Sequence, residues 1–186
     1  TTRPRRGPET VAAAGSVADR VVQSAHVPIL IIRPNGKTPL PAPVFEKVLV
    51  PLDGSETAAG VLPFVEEVAK LFGAGLVLYH AVPPVSAYPG FETVNPQLDG
   101  RVLEEMQQQA KELLSRAARD LEARGARVTV AVSIDLAVDG ILNAAKETGA
   151  DLIAIGTHGR SGLGRMVMGS VANAVNSPTV SAEDAP

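Results

Sequence analysis

An α/β fold built on a parallel sheet is what this sequence predicts, and three observations carry the prediction. Short apolar runs alternate with longer stretches of helical periodicity, glycines close the helical stretches, and the first and last apolar runs open into glycine-bearing loops. Strands that alternate with helices pair in parallel through right-handed crossovers, so the expected architecture is a doubly wound, five-stranded parallel sheet with helices on both faces.

The first strand is expected at residues 47–52, Lys-Val-Leu-Val-Pro-Leu, which runs apolar into Asp53-Gly54-Ser55. A helix follows, because Leu62, Val65, Val68, Ala69 and Phe72 recur at three and four, and Gly73 and Gly75 stop it. Residues 76–82 form the second strand. Residues 83–100, rich in Pro and Gly, read as a long loop suited to a lid or a partner surface. Val102, Met106, Ala110, Leu113, Leu114, Ala117 and Leu121 then trace one stripe of the longest helix, which Gly125 ends. Residues 127–134 alternate as a third strand. Ile141, Leu142, Ala144 and Ala145 mark another helix, and residues 151–155 read as a buried fourth strand.

The chain of 186 residues accommodates one full domain and part of a second. Its 45% hydrophobic and 20% charged residues are ordinary for a globular protein, and a net charge of −3 supplies no field to attract nucleic acid or an anionic membrane. The absence of cysteine excludes disulfides and thiolate metal sites and fits a reducing, cytoplasmic setting. No apolar run reaches the ~20 residues that a membrane helix needs, so no membrane insertion is expected.

Gly15-Ser16-Val17-Ala18-Asp19-Arg20-Val21 recurs as Gly169-Ser170-Val171-Ala172-Asn173-Ala174-Val175, with five of seven positions identical. The first copy continues into the strong strand pattern of residues 28–33, whereas the second meets Pro178 and a poor strand pattern. The expected organisation is therefore a basic flexible arm at 1–14, a helix-strand remnant of a preceding repeat at 15–33, a linker at 34–44, the main domain at 45–180 and a tail at 181–186. Residues 28–33 either supply the fifth strand or pair at the sheet edge with another chain, and both arrangements satisfy an open edge.

Gly156-Thr157-His158-Gly159, nine further residues and Gly169-Ser170 leave the fourth strand and close on a helix start. Glycines let the backbone approach an anion closely, and amides at a helix N-terminus direct donors at it. In position and spacing this stretch resembles the signature of the universal stress protein family: Gly, two residues, Gly, nine residues, Gly, then Ser or Thr. Residues 47–55 and 79–82 are similar to that family's first two strands. The resemblance implies a fold similar to the adenine nucleotide alpha hydrolases and ATP at the carboxyl edge of the sheet, with Mg²⁺ entering on its phosphates. Carried over by position, it implies that Pro51, Leu52 and Asp53 border the adenosine, with Asp53 accepting from a ribose hydroxyl. Ala81 would flank the base, and Ile155 and Gly156 would approach the adenine side. Gly159, Gly169 and Ser170 would hold phosphates, with Arg160 neutralising charge and Val171 completing the loop closure. The loop at residues 134–137 departs from the pattern, lacking its small Gly and Pro residues.

The family further implies a homodimer through edge strands and a role as a nucleotide-dependent sensor or regulatory binding module in the stress response. A nucleotide-free structural dimer module and a slow ATP-hydrolysing or phosphoryl-transfer enzyme are the alternatives. Turnover is expected to be slow at most, because His158 has no carboxylate or nucleophile at a recognisable spacing. His80, inside an apolar strand, reads as a satisfied imidazole rather than a ligand. Asp53 and Ser170 also suit helix capping, which does not conflict with ligand contact.

Overall fold

The computed structural model describes residues 29–30, 45–87, 96–156 and 170–176. Four parallel strands, β1 (Lys47–Pro51), β2 (Gly75–Val82), β3 (Arg127–Ile134) and β4 (Leu152–Ile153), pair in the order β3-β2-β1-β4. Val48 lies opposite Leu76 on one side and Leu152 on the other, while Gly75 lies opposite Arg127. The helices are α1 (Glu56–Ala59), α2 (Leu62–Phe72), α3 (Pro96–Ala123), α4 (Ala137–Thr148) and α5 (Ser170–Asn176).

Side chains on successive strand residues point to opposite faces, and both faces of the central strands are covered. Val48, Val50, Leu76 and Leu78 pack with Val65 and Ala69 of α2 and with Leu114 and Leu121 of α3. Leu49, Val77 and Tyr79 pack with Ile141 and Ala144 of α4, and Val171 and Val175 of α5 join them. The continuous apolar runs at 47–52 and 76–82 are thus explained by burial on two sides. Each Leu or Val removed from water there contributes about 1.5–3 kcal/mol.

Two expectations change. The segment expected as a loop through residue 100 gives way to helix at Pro96, after a 3-10 turn at Val85–Ala87. Proline is harmless in a first helical turn because its missing N–H would have no partner there, and Gly100 inside α3 costs only about 1 kcal/mol relative to Ala. The fourth strand is also shorter than the 151–155 expected. Leu152 and Ile153 are half-buried, although Asp151 and Ala154 still donate to the carbonyls of Lys47 and Leu49 at 2.9 Å each. Among the described residues it is paired on one side only, which accounts for its partial exposure. Ile29 and Leu30, from the segment considered for a fifth strand, adopt neither helix nor strand and stand exposed; the rest of that segment lies outside the described residues.

Glu66 ties the two helices of one layer together. Its carboxylate accepts from Lys70 Nζ and Arg124 Nε at 2.7 Å each, and its side chain is only 12% exposed. Those two hydrogen bonds, with Lys70 the larger, hold the Glu66 carboxyl below the usual glutamate range. A depressed folded-state pKa stabilises above the unfolded value and is lost as pH falls through the folded one. Glu66→Gln should therefore melt at lower temperature than wild type at pH 7, and the difference should close as pH falls below the ordinary glutamate value of 4.5. Thermal melts across that range measure it.

Candidate functional site

Because β1 lies between β2 and β4, the chain leaves β1 and β4 side by side at the carboxyl edge of the sheet. Strand order reverses there, and such a reversal opens a crevice between loops that depart to opposite faces. From β1, Leu52 donates its amide to the Tyr79 carbonyl at 2.8 Å, after which Asp53, Gly54 and Ser55 turn the chain outward. Gly54 has φ 86°, a left-handed conformation that a side chain would strain. Ser55 caps α1, its hydroxyl accepting from the Ala58 amide at 3.1 Å.

Asp53 is exposed, and its Oδ1 accepts from the Ser55 amide at 2.9 Å. Partial burial pushes its carboxyl up. The Ser55 hydroxyl and amide, its own amide and the nearby His80 ring outweigh that and hold it below the usual carboxylate range. At neutral pH it is an acceptor-only group, suited to hydroxyl donors.

The structure places the other expected residues unequally. Pro51 and Leu52 are buried at the end of β1. Ile155 is half-buried against the α4 and α5 cluster, and Val171 packs into the same cluster from α5, which Ser170 begins. Gly156 sits against α1, where a β-carbon would collide with the Thr57 carbonyl oxygen and lie 3.1 Å from Ala58 Cα. Its lack of a side chain thus has a packing cause within the protein. Gly159, Arg160 and Gly169 lie outside the described residues.

Ala81 packs towards α4, with the second cluster. A β-carbon on Gly140 of α4 would lie 3.3 Å from Ala81 Cβ and 3.0 Å from Asp135 Cβ, and would collide with the Tyr79 hydroxyl. That hydroxyl is paired with Ser133 Oγ at 2.6 Å, and burial pushes its pKa up, with Asp135 and Glu147 adding to the effect against the Ser133 hydrogen bond. On the α4 side the helix thus approaches β2 closely through Gly140.

The α3 side is open. A cavity of about 230 Å³ lies there, with Asp53, His80, Val82, Met106, Gln109 and Leu113 in its wall. His80 Nδ1 is 2.6 Å from the Leu52 carbonyl oxygen, in keeping with the satisfied imidazole expected, yet the ring also borders this space. The cavity was not legible because Met106 and Leu113 belong to a stripe that core packing explains. The 28 residues of α3 extend ~42 Å. The eight residues of β2 or β3 extend ~26 Å, so α3 is longer than the strands it packs on.

Among the described residues there is no cluster of three His, Asp or Glu able to hold a metal, and no helix long and apolar enough to cross a membrane.

Residues 45–177 match the universal stress protein family. Universal stress protein YxiE of Bacillus subtilis is 31% identical over 137 residues, covering 72% of this chain and 93% of its own length. Universal stress protein Mb2019 of Mycobacterium bovis is 32% identical over 176 residues, covering 91% of this chain and 53% of its own length, so the chain spans about half the length of that relative. Among solved structures, MJ0577 of Methanocaldococcus jannaschii superposes with a TM-score of 0.60 at 24% identity, over 71% of this chain and 88% of that one. UspA from Lactobacillus plantarum gives 0.60 at 21% identity, over 72% and 92% respectively. Both share the fold.

The contact between Gly140 and Tyr79 yields a direct test. Gly140→Ala should destabilise by roughly 1–3 kcal/mol, as overpacking does. Combining it with Tyr79→Phe, which removes the colliding oxygen, should cost less than the sum of the single changes. Urea unfolding of the four proteins of the cycle measures the coupling.

Proposed function

The chain belongs to the universal stress protein family, and from that premise we propose that it is a nucleotide-dependent regulatory module of the stress response, holding ATP at the carboxyl edge of β1 and β4. The observation that carries this reading is the Asp53 carboxylate after the end of β1, its pKa lowered, against partial burial, by the Ser55 hydroxyl and amide, at the sheet edge where Gly156 packs on α1. From Gly156 the chain runs through Gly159 and Arg160 to Gly169 and the first residue of α5, Ser170. Asp53 accepts from a ribose hydroxyl, with Pro51 and Leu52 beneath the sugar. Amides near Gly159 and Gly169, the Ser170 hydroxyl and Arg160 meet the phosphates. Mg²⁺ arrives on the nucleotide, bound mainly by phosphate and water. Binding alters the surface at this edge, and a partner reads the change. Turnover on this reading is slow at most, since His158 has no carboxylate or nucleophile at a recognisable spacing in the sequence.

The same proposal includes a doubly wound sheet completed by a fifth strand, a homodimer through edge strands and a cytoplasmic location. It also treats residues 15–33 as the end of a preceding copy of the domain. The similarity to the mycobacterial relative supports that last part, because 176 aligned residues exceed the span of the 45–177 match and reach into the segment before it.

A second reading, a nucleotide-free structural dimer module, is favoured by one observation: Gly156 is required by its contact with α1 whether or not a ligand binds. Calorimetry separates the two. ATP with Mg²⁺ should release heat on wild type. Asp53→Asn, which trades an ionic acceptor for an amide, should weaken binding by roughly 10–100-fold, the equivalent of a charged hydrogen bond. Gly169→Val should weaken it further. No heat with wild type would give the second reading precedence, and undiminished binding by Gly169→Val would take the phosphates away from that loop.

A further inference from the structure

We propose that the outer face of α3 pairs with the same face of a second copy of this chain, antiparallel about a two-fold axis that passes beside Lys111 and Glu112. This contact lies on a helical layer rather than on a sheet edge, and it does not depend on the nucleotide reading. Ala110, Leu114, Ala118 and Leu121 carry one side of α3 into the core. Glu104, Gln108, Lys111, Glu112, Arg116 and Arg119 stand exposed along another side at spacings of three and four, with half-buried Ser115 among them.

Charge is divided along this stripe. Glu104 and Glu105 occupy its first half and Lys111, Arg116 and Arg119 its second, with Glu112 at the boundary. The helix dipole does not explain the division, because its influence fades beyond the end turns and Lys111 stands far inside the helix. Nor do contacts along the helix. Lys111 has no acid three or four residues away, and the ion pairs among the described residues are those of Glu66.

A two-fold axis puts opposite charges together. In a self-complementary contact residue i meets j and j meets i. With the axis between Lys111 and Glu112, Lys111 meets the partner's Glu112, Gln108 meets the partner's Ser115 and Glu104 meets the partner's Arg119, each contact occurring twice. Shape agrees with charge. Ser115 is short, and a cavity of about 420 Å³ lies beside it, with Gln108, Lys111, Glu112, Arg116 and Arg119 also in its wall. The partner's Gln108 enters this hollow, where its amide and the Ser115 hydroxyl can each donate and accept. Exposed ion pairs are individually weak and are screened by salt, so the assembly forms at high protein concentration and low ionic strength.

Sedimentation velocity of the full chain over a concentration series should show self-association that weakens roughly tenfold or more between ~50 and ~500 mM salt. Arg119→Glu and Glu104→Arg should each abolish this salt-sensitive association. An equimolar mixture of the two variants should restore it as a heterodimer, because the substitutions exchange the charges of one pair. The chain has no cysteine, so a short bis-maleimide should join Gln108→Cys to Ser115→Cys in a low-salt mixture, with the link between positions 108 and 115 read by tryptic mass mapping. That readout locates the contact whether or not copies also pair through sheet edges. A mixture of charge variants that stays dissociated, or Cys variants that give no link between 108 and 115, would overturn the proposal, and so would a chain that shows no salt-sensitive association. None of these results bears on ATP binding.

Discussion

The position of β1 between β2 and β4 is the constraint on which the rest of this molecule depends. Its register is locked at the entry end, where Asp151 Oδ2 accepts from the amides of Glu46 and Lys47 at 2.7 and 2.8 Å. From that lock the strands run together to the opposite edge, delivering Asp53 and Gly156 as neighbours of the same short helix, α1. A shift of one residue would exchange the two faces of the strand, sending Val48 and Val50 into the layer built for Leu49. Sheet pairing, core composition and the geometry of the crevice are in this sense one specification.

The two helical layers meet the sheet edge differently, and this asymmetry decides where space remains. On one side α4 approaches through Gly140, close enough to rest on the Tyr79 hydroxyl, and small residues such as Ala81 and Ala144 line the contact. On the other, α3 is anchored by Leu114 and Leu121, which are fully buried, while Met106 and Gln109 nearer its start line the cavity with His80 and Val82 of β2. Leu113 fills the space beside Gly54 with its methyl groups 3.6 Å from where a β-carbon would stand. Close approach on one face and a gap on the other thus arise from the placement of a few small residues.

Much of this was legible in the chain itself. Double-sided burial writes continuous apolar runs, so residues 47–52 and 76–82 announce central strands, and Gly73, in a left-handed conformation with φ 65°, closes α2 where the periodicity ends. Residues 127–134 coincide with β3, whose sequence alternates although its burial does not, Val130 standing exposed while Val128 and Val132 pack on the core. The start of α3 was hidden, since Pro96 and Gly100 resemble loop punctuation unless the helix beyond them is long enough to absorb both. At the site, Asp53 was recognisable from its place after a strand. The contact of Gly156 with Thr57 was not, because it joins residues 99 positions apart and depends on the angle at which α1 leaves the sheet. The involvement of Met106 and Leu113 was concealed by their membership of a stripe whose other members are core.

The lock between β1 and β4 has a kinetic meaning as well. Its paired residues Val48 and Leu152 are 104 positions apart, against 28 for Lys47 and Gly75, and nearly two doublings of loop length add roughly 1 kcal/mol to the entropy of closure. The crevice straddles this most distant joint, which is also among the shortest ladders in the sheet. It is consequently assembled late and opened early, so amide exchange at Ile153 and Ala154 should report its breathing before β2 loosens. Any small molecule that bridges the two strands acts as a clasp on the least secure seam of the domain.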